Sequence, residues 1–144
     1  MKTSTLLPLV LLAGGVMASG GARGAEAPRP VSLGAHPGIS GGGNSFAPLF
    51  SADGCYVVFL SHANNLVTND DSAPNLDVFR HELATGKTVL ISVNHSGTGG
   101  GSDDSLYPSI SSNGQFIAFS SVSSNLVGND GSTTRAILIC WNRS

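Results

Sequence analysis

The stretch that decides the fold is FAPLFSADGCYVVFLSHANNLVTND, residues 46–70, because a second version of it occurs sixty positions later. The second version is LYPSISSNGQFIAFSSVSSNLVGND, residues 106–130. A shift of sixty positions aligns residues 31–84 with residues 91–144 without a gap. Because self-similarity at a fixed period marks a repeat architecture, we expect two copies of one structural unit.

Each copy has the pattern of β-strands separated by tight turns. The Asp-Gly pair of SADG and the Asn-Gly pair of SSNG accept the positive φ angles of hairpin turns. The segments that follow, CYVVFLS and QFIAFSS, are apolar on both alternating faces, as in a strand that is covered on both sides. In the first copy we predict strands at residues 48–50, 55–61, 76–83 and 88–93. Residues 28–144 lack helical periodicity, so the predicted fold class is all-β.

The first copy resembles the bacterial WD40-like, TolB-type β-propeller repeat. The residues that carry this resemblance are SADGCYVVFLS, the NLV loop, the DVF strand and the TG turn, all within residues 51–93. The resemblance implies two four-stranded propeller blades of period 60, with repeat one at residues 31–90 and repeat two at residues 91–144. The second blade is predicted to be incomplete, because Asp77 aligns with Ile137 and the fourth strand has no counterpart.

The resemblance also implies a function. Propellers of this type commonly serve as binding platforms, so we expect an exported, non-catalytic binding or scaffolding module with a protein or glycan partner. Two alternatives stay open: an accessory propeller of a secreted hydrolase or peptidase, and a two-blade, lectin-like oligomer. Because propellers host many functions, the fold alone does not choose among them.

Residues 1–27 have the layout of a secretory signal peptide. Lys2 supplies positive charge, residues 6–18 form an apolar core, and Ala25-Glu26-Ala27 offers a small-x-small cleavage site. Pro8 and two glycines interrupt the apolar core, which argues against a membrane span. We therefore expect a periplasmic or secreted protein whose mature part is residues 28–144.

The charge of residues 28–144 argues against nucleic acid as a partner. This part has 5 basic and 8 acidic residues, so its net charge is −3 with histidine neutral. A phosphate backbone needs a basic surface, which this composition does not supply. The two cysteines, Cys55 and Cys140, lie at non-equivalent positions of the two copies, which favours free thiols or intermolecular pairing over an intramolecular disulfide.

Two blades cannot close a propeller ring, which typically needs about four to eight. One explanation is that the chain is a fragment of a longer TolB-like propeller, and the sequence favours this one. The other is a subunit that closes its ring as a homo-oligomer. In its support, RPVSL at residues 29–33 falls in the register of the missing fourth strand.

The one metal-site hypothesis concerns calcium. In NDDSAPNLD, residues 69–77, the side chains of Asp70, Asp71, Asn75 and Asp77 bring several oxygen ligands into one loop. The spacing departs from the EF-hand pattern, and Asn and Asp are also common turn residues, so turn stabilisation is the competing interpretation. No other cofactor is predicted.

The sequence predicts no catalytic residue. GISGG, residues 38–42, matches G-x-S-x-G around Ser40, but a nucleophile elbow needs a strand before it and a helix after it. Here the flanking residues have the composition of a loop. The four histidines are scattered and form no metal-binding pair.

Overall fold

The computed structural model describes residues 27–36, 38–69 and 72–128, together with the backbone of Ala136–Trp141. This part of the chain contains seven β-strands and no helix. The strands are β1 Ser45–Phe50, β2 Tyr56–Ser61, β3 Asp77–Glu82, β4 Thr88–Leu90, β5 Ser105–Ile110, β6 Phe116–Ser121 and β7 Ala136–Trp141. The prediction of an all-β fold is confirmed.

The strands form two antiparallel sheets in simple chain order. Sheet 1 has the order β1-β2-β3-β4, and sheet 2 has the order β5-β6-β7. Within each sheet, every strand pairs with the next one along the chain. Short hairpin turns join β1 to β2, β3 to β4 and β5 to β6, whereas longer segments join β2 to β3 and β6 to β7. Neither sheet closes on itself in the described part of the chain, so each keeps two edge strands.

The first strand of each sheet is longer than predicted. The prediction began at Pro48 and Pro108, whereas β1 and β5 begin three residues earlier and pass through a bulge. The bulge places Ala47 at φ 48° and Tyr107 at φ 53°, backbone angles that are unusual outside glycine. Because proline has no N–H for the ladder, an irregularity at this point accommodates it within an edge strand.

The repeat seen in the sequence is a repeat of hydrogen bonds in the structure. Ser45 Oγ donates to Ser61 Oγ at 3.0 Å, and Ser105 Oγ donates to Ser121 Oγ at 3.2 Å. Other bonds recur at the same offset in the hairpin turns and in the segments that lead into β1 and β5. The two copies therefore share one local structure.

The gap-free alignment is wrong at the third strand of the second copy. Asp77 faces Ser61 in sheet 1, but Ala136 faces Ser121 in sheet 2. Ala136, and not Ile137, is therefore the structural counterpart of Asp77. The segment between β6 and β7 is one residue shorter than its counterpart, so the alignment shifts by one residue before the strand begins.

The two sheets pack face to face through one apolar cluster. We call the face of sheet 1 that carries Val58, Leu60 and Val78 its inner face, and it contacts Ile117 and Phe119 of sheet 2. All five side chains are buried. Each one contributes about 1.5–3 kcal/mol on burial, which makes this cluster the main link between the copies.

The opposite face of sheet 1, its outer face, carries a second cluster. Val57, Phe59 and Phe79 lie here, and the two phenylalanine rings stack with centroids 5.7 Å apart. Leu66 from the NNLVTND loop is buried against them, and Val67 is half-buried. The prediction that β2 is covered on both faces is confirmed.

A polar contact also joins the sheets, at the hairpin turns. The Arg80 guanidinium lies 4.3 Å from the centre of the Tyr56 ring and donates a hydrogen bond to the Gly114 carbonyl at 3.3 Å. The N–H of Asp53 donates to the carbonyl of Ser112 at 3.1 Å. The turn of the second copy is thereby fixed against the first copy.

Candidate functional site

The structure describes half of the predicted calcium ligands and gives them structural partners. Asn75 donates from Nδ2 to the Gly101 carbonyl at 3.1 Å. Asp77 is buried and accepts a hydrogen bond from the Ser92 hydroxyl at 2.6 Å. Asp70 and Asp71 lie outside the described residues. Asn75 and Asp77 thus both bond to the segment between β4 and β5, which connects the two sheets.

Calcium binding remains a prediction. Within residues 27–36, 38–69 and 72–128, no three side chains of the His, Cys, Asp and Glu types come together as a metal site. The acidic residues nearest to Asn75 serve the same connection. Asp104, for example, accepts a hydrogen bond from the N–H of Leu76 at 2.8 Å.

Asn65 lies in the NNLVTND loop, residues 64–70, where an Asn side chain commonly satisfies the backbone of its own turn. Instead its side chain bonds to the segment that precedes β1. Its Oδ1 accepts from the N–H of Gly42 at 2.7 Å, and its Nδ2 donates to the Ser40 carbonyl at 3.2 Å. The loop therefore anchors the entry to sheet 1, and Asn125 accepts the equivalent bond from Ser102 at 2.8 Å in sheet 2.

A groove of about 610 Å³, which we call the β4 groove, runs beside the edge of sheet 1. One wall is the strand β4 with the two residues before it, and the opposite wall comes from the segment before β1 and from the NNLVTND loop. Its lining residues are Leu33–Ala35, Leu66–Asn69, His81 and Gly86–Leu90.

The backbone of β4 presents free hydrogen-bonding groups to this groove. Arg80 and Val89 face each other, and the adjacent bonds run from Glu82 N–H to the Lys87 carbonyl at 2.9 Å and from Ile91 N–H to the Val78 carbonyl at 2.8 Å. Antiparallel strands bond through alternate residues, so Val89 faces β3 while Thr88 and Leu90 turn their N–H and C=O groups away. β4 is the last strand of the sheet, and the part of the chain that the structure describes places no strand beyond it.

His81 lies where the β4 groove meets a second groove. Its Nδ1 is 2.9 Å from the Thr88 hydroxyl, and its side chain is buried. Burial lowers the pKa of His81 below its usual value, and the positive charge of Arg29 lowers it further. The ring is therefore neutral near pH 7 and acts as a hydrogen-bonding group in the wall.

The second groove, which we call the N-terminal groove, measures about 750 Å³. It separates the segment at residues 29–33 from the outer face of sheet 1 and from the turn after β3. Phe50 stands at its rim with 64% of its surface exposed. The predicted strand at residues 29–33 is not paired in a sheet here, since its only described bridge joins Leu33 to Ser40.

The described part of the chain brings no catalytic group together. Ser40 lies in that bridge and leads into the loop before β1, so the strand–turn–helix context of a nucleophile elbow is missing at residues 38–45. His62 and His95 approach backbone carbonyls, those of Pro74 at 3.1 Å and Asn125 at 3.2 Å. Cys55 is a free, exposed thiol in a hairpin turn, and its S–H donates to the backbone carbonyl of Asp53 at 3.8 Å.

Sequence reasoning missed the β4 groove. It predicted a strand over residues 88–93, but the strand ends at Leu90 because Ser92 bonds both to Asp77 and to the N–H of Val78. Which strand of a sheet lies at its edge depends on pairing between distant residues. The short run of alternating apolar residues after ATGK was the only sequence signal for it.

Comparison with known proteins does not name a family. No family model matches the sequence, and no curated protein shows significant similarity to it. Among the residues that the structure describes, none forms a helix that is long and apolar enough to cross a membrane.

Proposed function

We propose that this chain is an exported, non-catalytic binding module of the β-propeller type, and that its ligand is an extended segment of another protein. The propeller assignment is supported by two copies of one antiparallel unit that stack face to face. The export assignment is supported by the layout of residues 1–27.

One observation carries the ligand class: the free edge of β4 borders a groove. An extended peptide can add a strand to such an edge, where main-chain hydrogen bonds give affinity and side-chain pockets give specificity. Thr88 and Leu90 supply the main-chain groups, and Val67 lies on the opposite wall. A groove of this volume holds several side chains of an extended segment.

The glycan alternative has less support from the geometry. Sugar rings stack on aromatic side chains, whereas the lining of the β4 groove includes no Phe, Tyr or Trp among the described residues. Trp141 ends the strand β7 opposite Phe116, and its side chain lies outside the described part of the chain. The β4 groove therefore fits a peptide backbone better than a sugar ring.

The experiment compares two substitutions at one position. Thr88→Pro removes the N–H that points into the groove, and Thr88→Val keeps it while also losing the hydroxyl. Proline is tolerated at the first residue of a strand, so we expect both variants to keep the circular dichroism spectrum of the parent. The probe is a fluorescent peptide selected from a phage-displayed library of random twelve-residue segments.

We expect Thr88→Pro to weaken peptide binding at least about tenfold, and Thr88→Val to weaken it by about threefold at most. Equal affinities for the two variants would exclude strand addition at β4. If the library yields no binder and a glycan array does, the lectin-like alternative replaces the proposal.

A further inference from the structure

Among the described strands, none holds the place in sheet 2 that β4 holds in sheet 1. In the described part of the chain, β7 is the last strand of its sheet, so one edge of its backbone is open. We propose that residues 28–30 of a second copy of this chain pair with that edge and complete the sheet. The inference concerns assembly, and it stands whichever ligand the β4 groove takes.

The segments that follow β4 and residues 28–30 have the same structure. After β4, Asn94 N–H donates to the Gly99 carbonyl at 2.9 Å, and sixty positions earlier Gly34 N–H donates to the Ile39 carbonyl at 2.8 Å. The next bond is also repeated, since His95 and Ala35 donate to the carbonyls of Asn125 and Asn65. Residues 28–30 therefore precede the first copy in the same way that β4, Thr88–Leu90, precedes the second copy.

Residues 28–31 also occupy the matching place in space. Val89 and Ile91 pack in the inter-sheet cluster that contains Ile117. Sixty positions earlier, Val31 borders the N-terminal groove together with Val57, the counterpart of Ile117. Residues 29–31 therefore stand across the N-terminal groove from the outer face of sheet 1, on the side that corresponds to the position of β4 and Ile91 beside sheet 2.

The described part of the chain places no sheet beside residues 28–30, with which they could pair as a strand. Ile110 packs against the inter-sheet cluster, whereas its counterpart Phe50 is 64% exposed. Leu33 is 43% exposed, although its counterpart Val93 packs against the outer cluster of sheet 1. Sheet 2 of a second copy would cover these side chains.

The prolines of this segment fit one pairing register. By analogy with β4, whose residues 89 and 91 bond to β3, residues 29 and 31 would bond to β7. Pro28 and Pro30 then fall at the positions whose backbone nitrogen points away from the partner strand. Proline is confined to such positions in edge strands, and Arg29 supplies the N–H that faces β7.

We assign the partner strand to another copy, because the β7 of the same chain lies on the other side of sheet 1. Sheet 2 lies on the inner face of sheet 1, whereas residues 29–33 lie along its outer face. Sheet 1 therefore separates them from the β7 of their own chain. Pairing between copies is head to tail, and repetition of it closes a ring or extends a filament.

A cysteine cross-link tests the register. His81 faces Thr88 in sheet 1, so the proposed pairing sets Pro28 opposite Cys140, the counterpart of His81. This is a pair without ladder bonds, with Cα atoms about 4.5 Å apart, a separation that a disulfide can span. In a Cys55→Ser background, oxidised glutathione would take two electrons and two protons from the thiols of Pro28→Cys and Cys140.

We expect Pro28→Cys to give reducible dimers and higher ladders on denaturing gels, measured on the full signal-free chain. The matched control is Pro30→Cys, which the register sets opposite Leu138, and it should give less than about a tenth of the cross-linked product. Equal cross-linking of the two variants would reject the register. A disulfide within single chains would reject exchange between copies.

Light scattering on a sizing column tests the assembly without a cross-link. Arg29→Pro removes the N–H that faces β7 and should weaken self-association at least about tenfold, whereas Pro30→Ala should leave the mass of the assembly unchanged. Arg29→Ala separates the backbone from the side chain, because it keeps the N–H. A monomeric parent protein at about 100 µM, the affinity range of weak association, would overturn the proposal.

Discussion

At the scale of single residues, Asp77 ties β3 to the connection between the sheets. Its carboxylate accepts the Ser92 hydroxyl, and the Ser92 oxygen accepts the N–H of Val78 at 3.0 Å. A Cβ on Gly100 would come within 2.8 Å of the same carboxylate, so glycine leaves room for it. Asp77 is 2% exposed, so the loss of a hydrogen-bond partner would leave a buried carboxylate unsatisfied and would lower the stability of the fold.

We expect Asp77→Ala to lower the free energy of unfolding by about 1.5–3 kcal/mol, the range for a hydrogen bond to a charged group. Ser92→Ala removes the same bond from the other side, so the two losses should combine in the double variant to less than their sum. Urea denaturation gives the free energy of unfolding of the parent, the two single variants and the double variant. Additive losses would show that the two side chains act independently, and a loss that calcium alone relieves would favour the calcium hypothesis.

His81 gives the protein a dependence on pH. Burial and the Arg29 charge keep the folded-state pKa of His81 below that of the unfolded chain, so the unfolded chain takes up the proton first as the pH falls. The stability that neutral His81 confers is complete above about pH 6.5 and is lost as the pH falls toward the folded-state pKa.

Urea midpoints at about pH 7.5 and about pH 5 should therefore differ more for the parent than for His81→Gln. His95→Gln is the matched control, because His95 lies exposed in a turn of the connection. A His81→Gln protein with the pH profile of the parent would mean that other groups control the acid response.

At the scale of elements, the hairpin turn between β1 and β2 resembles the turn between β5 and β6, but the two have different surroundings. Gly54 has a φ of 70° and open space beside it, whereas Gly114 has a φ of 68° and lies under the Tyr56 ring. A Cβ on Gly114 would clash with the Tyr56 ring at Cδ2. The first turn is limited by its backbone alone, and the second is limited by its backbone and by packing.

Gly54→Ala should cost about 1–2 kcal/mol from the left-handed backbone. Gly114→Ala should cost about 1–3 kcal/mol more, because the ring and the Arg80 contact must move. The difference between the two variants in urea denaturation isolates the packing contribution. Equal costs would show that the second turn moves away from the sheet freely.

The register of β7 can be tested by cross-linking within the chain. Ala118 faces Ile139 in sheet 2, whereas the gap-free alignment would have set it opposite Cys140. In a Cys55→Ser background, the pair Ala118→Cys and Ile139→Cys, with Cys140→Ser, should form a disulfide. Ala118→Cys with native Cys140 should stay reduced, as mass spectrometry after thiol alkylation will show. The opposite result would restore the gap-free register.

At the scale of the whole molecule, the shared cluster makes the two sheets one cooperative unit. Ile117 is fully buried between them, so Ile117→Ala should cost about 2–5 kcal/mol. Val127→Ala, at a residue that is 47% exposed, should change stability by about 0.5 kcal/mol at most. Trp141, the one tryptophan, reports on sheet 2, and far-UV circular dichroism reports on both sheets. Separate midpoints for the two probes would contradict a single unit.

How much of this the sequence could predict depends on the range of each interaction. The turns at Gly54 and Gly114 and the double burial of β2 follow from local pattern, and they were predicted. The one-residue shift at Ala136 was not, because the apolar run AILICW aligns about equally well in either register. The β4 groove and the partners of Asp77 depend on contacts between distant segments, such as Ser92 with Asp77, which no local pattern encodes.

The repeated serine pairs limit which substitutions the two copies tolerate. Ser61, Ser105 and Ser121 are buried, and each pair sits at the same corner of its sheet. A buried hydroxyl that loses its partner costs about 1–3 kcal/mol, so replacing one serine alone is costly wherever the serine that remains is buried. Cys55 and Gln115 occupy equivalent exposed positions of the two copies. A substitution there leaves no buried hydroxyl without a partner, and the two residues differ. Replacing both serines of a pair together should cost less than the sum of the two single replacements.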